Sequence, residues 1–186
     1  MLINTRRVQD ALAFASTKHA EAAQLRSTGL PYIVHPYAVV SMINRCADDY
    51  GSHFEDALCV GALHDTIEDT NATFEEIRSR YGDTVAYAVL ALTKNKDIDD
   101  KTDQIIDSCS RAMLIGPWAI GPKLSDRTEN LSIVTIPEDW SRDRRRAYVL
   151  KEAPIILYHG RKALMHKSCE RLEQAMSIYE GYIPSV

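Results

Sequence analysis

An all-α, single-domain protein is predicted by three features of this 186-residue sequence. Apolar side chains recur with a helical period along most of the chain. Two segments carry the Ser/Thr-x-x-Glu pattern that opens helices. No pair of alternating apolar runs is joined by a turn that would close a hairpin.

The elements follow in order. Residues 5–25 place Val8, Leu12, Ala15, His19 and Ala22 on one stripe, an amphipathic helix that Ser27-Thr28-Gly29-Leu30-Pro31 ends. Tyr32-Ile33-Val34 reads as a buried connector, and Pro36 suits the first turn of a helix running to about Ala47. Ser52-x-x-Glu55 predicts a capping box and a helix through about residue 67. Thr73-x-x-Glu76 predicts a second box, with a helix that stops at Gly82 and helical structure again over 84–92. Residues 93–101, TKNKDIDDK, read as a charged loop, and 102–115 as a helix. Gly116-Pro117 and Gly121-Pro122 punctuate the chain before a helix to about Leu131, which Ile136-Pro137 breaks. Residues 141–152 and 155–180 are helical, with Pro154 as kink or boundary. With no repeat and no linker, residues 1–186 are expected to form one domain.

Composition narrows the function classes. The net charge is 22 − 26 = −4, which excludes a global basic field for DNA or RNA. No apolar run approaches 18 residues, so neither a membrane span nor a signal peptide is expected. Cys46, Cys59, Cys109 and Cys169 are too far apart for a C-x-x-C pair; Cys59, in an apolar run, and Cys46, in a helical pattern, read as buried free thiols in a reducing, cytoplasmic compartment.

Chemistry concentrates in Ala62-Leu63-His64-Asp65-Thr66-Ile67-Glu68-Asp69-Thr70, at the end of an apolar helix. At about 100° per residue, His64, Asp65, Glu68 and Asp69 span an arc of about 140°. Carboxylates one turn apart repel, and the helix C-terminus adds negative partial charge, so this face calls for a cation. His35, before Pro36, and Asp126, in Lys123-Leu124-Ser125-Asp126-Arg127, supply two more donors from separate helices. His35, His64, Asp65 and Asp126 make an N2O2 set for a divalent ion such as Mn²⁺, Fe²⁺ or Zn²⁺, with coordination positions left for water or substrate. The bland readings are a solvated acidic helix end, a satisfied core histidine at 35 and an Asp126–Arg127 pair.

This His…His-Asp…Asp constellation resembles the HD superfamily of metal-dependent phosphohydrolases. Arg26-x-x-Gly29-x-Pro31-Tyr32-Ile33-x-His35-Pro36, Leu63-His64-Asp65-Thr66-x-Glu68-Asp69-Thr70, Thr73, Tyr81-Gly82, Leu92-Thr93-Lys94 and Lys123-Leu124-Ser125-Asp126-Arg127-x-x-Asn130-Leu131 are similar to the hydrolase domain of the RelA/SpoT alarmone enzymes. Pro137-x-x-Trp140-Ser141-x-x-Arg144-x-x-x-Tyr148 resembles the stand-alone small alarmone hydrolases. The resemblance covers about residues 8–180. It implies an HD-type helical bundle and Mn²⁺-dependent removal of the 3′-pyrophosphate from guanosine alarmones. It further implies that His35, His64, Asp65 and Asp126 hold the metal and that Glu68 and Asp69 position or deprotonate the attacking water. Arg26, Asn130 and Tyr148 match positions that contact the nucleotide, and Arg144 is the best pocket candidate of the Arg142–Arg146 run.

Four positions depart from the pattern, one of them Pro122, unusually close to Asp126. Ser27 stands where lysine is common, Glu129 where an aromatic or imidazole is usual, and Ser132 where a cation is usual. Two further readings therefore stay open. One is an HD phosphatase acting on the 2′-phosphate of NADPH, an adenosine alarmone or a nucleoside monophosphate. The other is a non-catalytic nucleotide-binding regulator, against which the Glu68-Asp69 pair argues. The expected partner is a small-molecule nucleotide, without nucleic acid or membrane; assembly into a homo-oligomer stays open. Lys94, Lys96 and Lys101 read as a solvated loop, Trp118 and Trp140 as packing, and His19, His53, His159 and His166 as structural or exposed.

Overall fold

The computed structural model describes residues 5–131 and 140–180, so the expected break at Ile136-Pro137, and Ser132, lie outside the described residues. Within them the chain is helical and has no strand, only one isolated bridge between Leu25 and Pro31. Helix α1 (Arg6–Glu21) opens on Thr5, whose hydroxyl accepts from Val8 N at 3.3 Å. It ends where Ala23 turns left-handed, with Gln24 N donating to His19 O and Ala23 N to Ala20 O, both at 3.0 Å. Helix α2 (Val34–Arg45) carries Pro36 in its first turn, as expected. The segment before it is a half-buried turn and not a buried connector, because Val34 already begins the helix and is 43% exposed.

The capping box expected at Ser52 does not form. Residues 51–53 make a 3-10 turn, His53 caps α3 (Phe54–Leu63) without a side-chain bond, and Glu55 and Asp56 instead take Arg7 of α1. Helix α3 is buried on every side from Ala57 to Leu63 and packs on α1, α2, α5 and α7. It also stops earlier than its periodicity suggests. Thr66 Oγ1 donates to Leu63 O at 2.7 Å and His64 Nδ1 to Gly61 O at 2.9 Å. These side-chain donors satisfy the last carbonyls, and the chain turns into a separate short helix, α4 (Thr66–Asp69).

The second capping box is present: Thr73 Oγ1 accepts from Glu76 N at 3.1 Å and Glu76 Oε2 from Thr73 N at 2.8 Å. It opens α5 (Phe74–Leu92), which Gly82 interrupts at φ 82°, a backbone conformation that disfavours a side chain. Helix α6 (Lys101–Ile115) is capped by Asp100, and α7 (Gly121–Asn130) follows a 3-10 turn over Pro117–Ile120. Helix α8 (Arg142–Ala147) runs through a π-helical turn, Tyr148–Glu152, into α9 (Ala153–Lys162), with Pro154 at the boundary as expected. The helix expected over 155–180 is two. Leu164 sits at φ 59°, with Met165 N on Gly160 O and Leu164 N on Arg161 O, before α10 (His166–Glu180). Burial of Met165 holds that turn without a glycine. All four cysteines are buried and free, and no described helix is long and apolar enough to cross a membrane.

Candidate active site

Helices α2, α3 and α7 pack against one another. Their approach depends on Gly61, where a methyl group would collide with Ile43 Cδ1 of α2. This packing carries His35, from the first turn of α2, to His64, at the end of α3, and both to Asp126 of α7. One ligand atom each from His35, His64 and Asp126 lie within 4.8 Å of one another. His35 Nε2 faces His64 Nε2 at 3.2 Å, and Asp126 Oδ1 is 3.2 Å from the first and 3.7 Å from the second. Asp65 Oδ2 is 3.0 Å from His64 Nε2 and 3.5 Å from His35 Nε2.

The outer nitrogens of both rings are committed. His35 Nδ1 lies 2.6 Å from Glu129 Oε2, and His64 Nδ1 lies 2.9 Å from Gly61 O. Both oxygens accept, so both Nδ1 atoms donate, and each neutral ring presents a bare Nε2 lone pair to the centre. Two lone pairs and two carboxylates meeting at 3.0–3.7 Å repel unless a cation lies among them. The residues therefore fit a divalent ion, with ring orientation set from behind. Burial opposes charge on His64 and His35, but Asp65 and Asp126 around the first, and Asp126 and Glu129 beside the second, hold both above the ordinary histidine value. The imidazoles in turn hold Asp126 and Asp65 below the usual carboxylate range against the effect of burial.

Other expected site residues act behind this set. Asn130 Nδ2 donates to Asp126 Oδ1 at 2.5 Å, one turn along α7. Arg26 points inward, donating to Glu129 at 3.0 and 3.2 Å and to Asn130 Oδ1 at 3.3 Å. Glu129, a departure in the sequence pattern, is thus the carboxylate behind His35. Asp65 has a partner of its own: Tyr32 Oη donates to Asp65 Oδ2 at 2.6 Å.

A cavity of about 300 Å³ opens over the set and is lined by His64, Asp65 and Asp126 on one side. Glu68 lines it too, and its carboxylate accepts from Lys94 Nζ at 2.5 Å and Lys94 N at 3.2 Å. Past the break after α3, Asp69 stands beside the cavity, next to Asp65 and Glu68 but outside the lining itself. Its Oδ2 accepts from Gln24 Nε2 at 3.1 Å, and Gln24 Oε1 in turn accepts from the buried His19 Nδ1 at 2.6 Å. The enclosure of Asp69, with Asp65 and Glu68 nearby, pushes its carboxyl above the ordinary aspartate value. Tyr148 and Arg144 also line the cavity.

Several lining residues were not apparent in the sequence. Lys94 and Lys101 reach the cavity and are not a purely solvated loop. Trp140 is a wall residue as well as packing: its ring meets Tyr148 edge-on at 5.1 Å, and the Arg144 guanidinium lies 4.6 Å from its centre. Arg127 lies 3.6 Å over the Tyr148 ring and pairs with buried Glu152 at 3.2 Å, and Arg144 joins the same carboxylate. These pairs span different elements, and no local spacing signals them. Trp118 is buried and stacks on His53 at 5.0 Å, the packing role expected for it.

A helical bundle with paired histidines and aspartates at its centre defines a class, and an HD-domain family model matches residues 11–147. The chain belongs to the HD-domain family. Within it, the chain is 33% identical over 139 residues to the MESH1 guanosine-3′,5′-bis(diphosphate) 3′-pyrophosphohydrolase of Danio rerio, covering 73% of this chain and 74% of that protein. It is 35% identical over 149 residues to the guanosine-3′,5′-bis(diphosphate) 3′-pyrophosphohydrolase of Aquifex aeolicus, covering 78% of this chain but about a fifth (20%) of that longer enzyme. The solved structure of a metazoan ortholog of SpoT, described as hydrolysing ppGpp, superposes with a TM-score of 0.75 at 26% identity, over 94% of this chain and 98% of that one.

Proposed function

We propose that this protein removes pyrophosphate from the 3′ position of guanosine 3′,5′-bispyrophosphate and its 5′-triphosphate counterpart, leaving GDP or GTP, with Mn²⁺ held by His35, His64, Asp65 and Asp126. The observation that carries this reading is the convergence of two bare imidazole nitrogens with two carboxylates on the wall of a cation-lined cavity. The relatives named above for that activity support it. When bound, the ion would neutralise phosphate oxygens and lower the pKa of water. Asn130 holds Asp126 in place, and Glu129 and Gly61 O hold the two rings. Asp69, raised above its ordinary value, suits proton acceptance, while Glu68, tied to Lys94, positions the attacking water. Tyr148 and Arg144 supply the wall against which the nucleotide rests.

The test is a product assay on Mn²⁺-loaded protein offered guanosine bispyrophosphate, an adenosine alarmone, NADPH and nucleoside monophosphates. Release of pyrophosphate with GDP from the first is expected. Turnover of another member with none of the first would overturn the guanosine reading and keep the hydrolase. One observation favours that second reading: Arg26, implied by resemblance as a nucleotide contact, has its guanidinium on Glu129.

A further inference from the structure

Among the described residues five cationic side chains line the cavity, and three of them are already neutralised. Lys94 pairs with Glu68, and Arg127 and Arg144 share Glu152. Lys101 is exposed at the start of α6. Lys123 differs from all of these. It lines the cavity, it is only 9% exposed, and among the described residues no hydrogen bond or ion pair forms on its ammonium.

An enclosed ammonium without a partner is costly, and an apolar residue of similar volume would fill the position at lower cost. The stem alone explains little, because a lysine placed for packing carries its charge out to bulk water, whereas this one ends in the cavity. Enclosure, with Arg127 and Lys94 nearby, pushes the ammonium down from the ordinary lysine range, and the attraction of Asp126 does not offset it. An anion in the cavity would. Lys123 stands three residues before Asp126 on α7, so the two share a face of the helix and open on the same cavity.

We propose that Lys123 is an anion-binding residue that receives a phosphate of the bound nucleotide beside the metal ligands. This rests on the phosphohydrolase reading above and adds to it the group that takes the departing pyrophosphate. Lys123 then bears on binding of substrate and product more than on the proton transfers of Glu68 and Asp69.

The experiment uses the Mn²⁺-loaded protein and inorganic pyrophosphate as probe, with Lys123→Met to keep the stem and remove the charge. Titration calorimetry should show pyrophosphate binding weakened at least tenfold, with metal content unchanged. KM for guanosine bispyrophosphate should rise by a similar factor while kcat changes less. The variant should melt at or above the wild-type temperature, since no native bond is lost. Unchanged pyrophosphate affinity together with unchanged KM would overturn the proposal and leave the hydrolase reading standing. Lys123-dependent pyrophosphate binding in a protein that hydrolyses no guanosine alarmone would sustain the proposal and overturn that substrate assignment. Should Lys123→Met fail to fold, acetylation of Lys123 in the wild-type protein gives the answer by mass spectrometry. Protection by pyrophosphate is expected, and equal labelling with and without it would overturn the proposal.

Discussion

On one side of the cavity, His35, His64 and Asp126 come from three helices that pack on one another, and the three side chains are held by Glu129, Gly61 O and Asn130. On the other side, Trp140, Arg144, Tyr148 and Glu152 come from one short stretch that includes a π-helical turn. The first side is positioned by backbone packing: His35 is 1% and His64 6% exposed, on helices whose spacing Gly61 sets. The second is positioned by side chains, with Arg144 of its own stretch and Arg127 of α7 gripping Glu152 and stacking on Trp140 and Tyr148. A rigid wall suits an ion that tolerates little displacement of its ligands. A wall knitted from side chains can adjust to a nucleotide, and π-turns are frequent at functional sites.

Breaking the packed side should have the largest effect. Asp126→Ala removes a donor from the set and leaves two imidazoles facing each other. Metal content by mass spectrometry and turnover should fall together, turnover by more than the roughly 10²–10⁴-fold of losing a general base. Full metal occupancy in that variant would remove Asp126 from the ligand set.

Next come the carboxylates between the two sides. Glu68→Gln and Asp69→Asn keep shape and remove the proton acceptor, so each should retain metal and lose about 10²–10⁴-fold in turnover. The structure divides them: Glu68 lines the cavity with Lys94, whereas Asp69 hangs from Gln24. Near-normal turnover in one would assign the base to the other, and near-normal turnover in both would place it elsewhere. Loss of metal in either would make that residue a ligand.

The packed side was the legible one, for a physical reason. A histidine after Tyr-Ile-Val and an imidazole with three carboxylates ending an apolar helix are residue types that a core rejects without a cation. The helical periodicity behind them also survived folding, including the capping box at Thr73. What was lost lay at helix ends. The break after Leu63, the missing box at Ser52 and the turn at Leu164 depend on bonds that only the folded chain makes, such as Thr66 Oγ1 to Leu63 O and Arg7 to Asp56. The knitted wall was legible in Tyr148 and Arg144 alone. Arg127 and Glu152 stand 25 residues apart, and a cation bound for a buried carboxylate is spelled like one bound for water. Glu129 is silent in sequence for the same reason: it is a departure from the family pattern, and only the fold brings it to His35 and Arg26.

A smaller effect is expected from that grip. Glu129→Gln keeps an acceptor for His35 but weakens its hold and its pairing with Arg26. Metal affinity should fall by about 10–100-fold, the usual cost of disturbing the partner of a ligating histidine. Turnover at saturating metal should stay near wild type, which a metal titration of activity separates from binding. Unchanged metal affinity would show that helix packing alone orients His35.

The smallest effect belongs to the knitted wall. Tyr148 has Arg127 on its face at 3.6 Å and Trp140 at its edge, so removing the ring loosens Arg127 and Arg144 together. Contacts of this kind act alike on bound substrate and transition state, and so act on KM. Tyr148→Ala should raise KM for the nucleotide about tenfold, equivalent to ~1.4 kcal/mol, with a smaller change in kcat and full metal content. Tyr148→Phe keeps the ring and both stacks and should bind as wild type does. If Phe and Ala are equally impaired, the hydroxyl makes the contact and the stack is scaffolding. If Ala lowers kcat with KM unchanged, Tyr148 belongs with the packed side and the two walls are not divided between chemistry and binding.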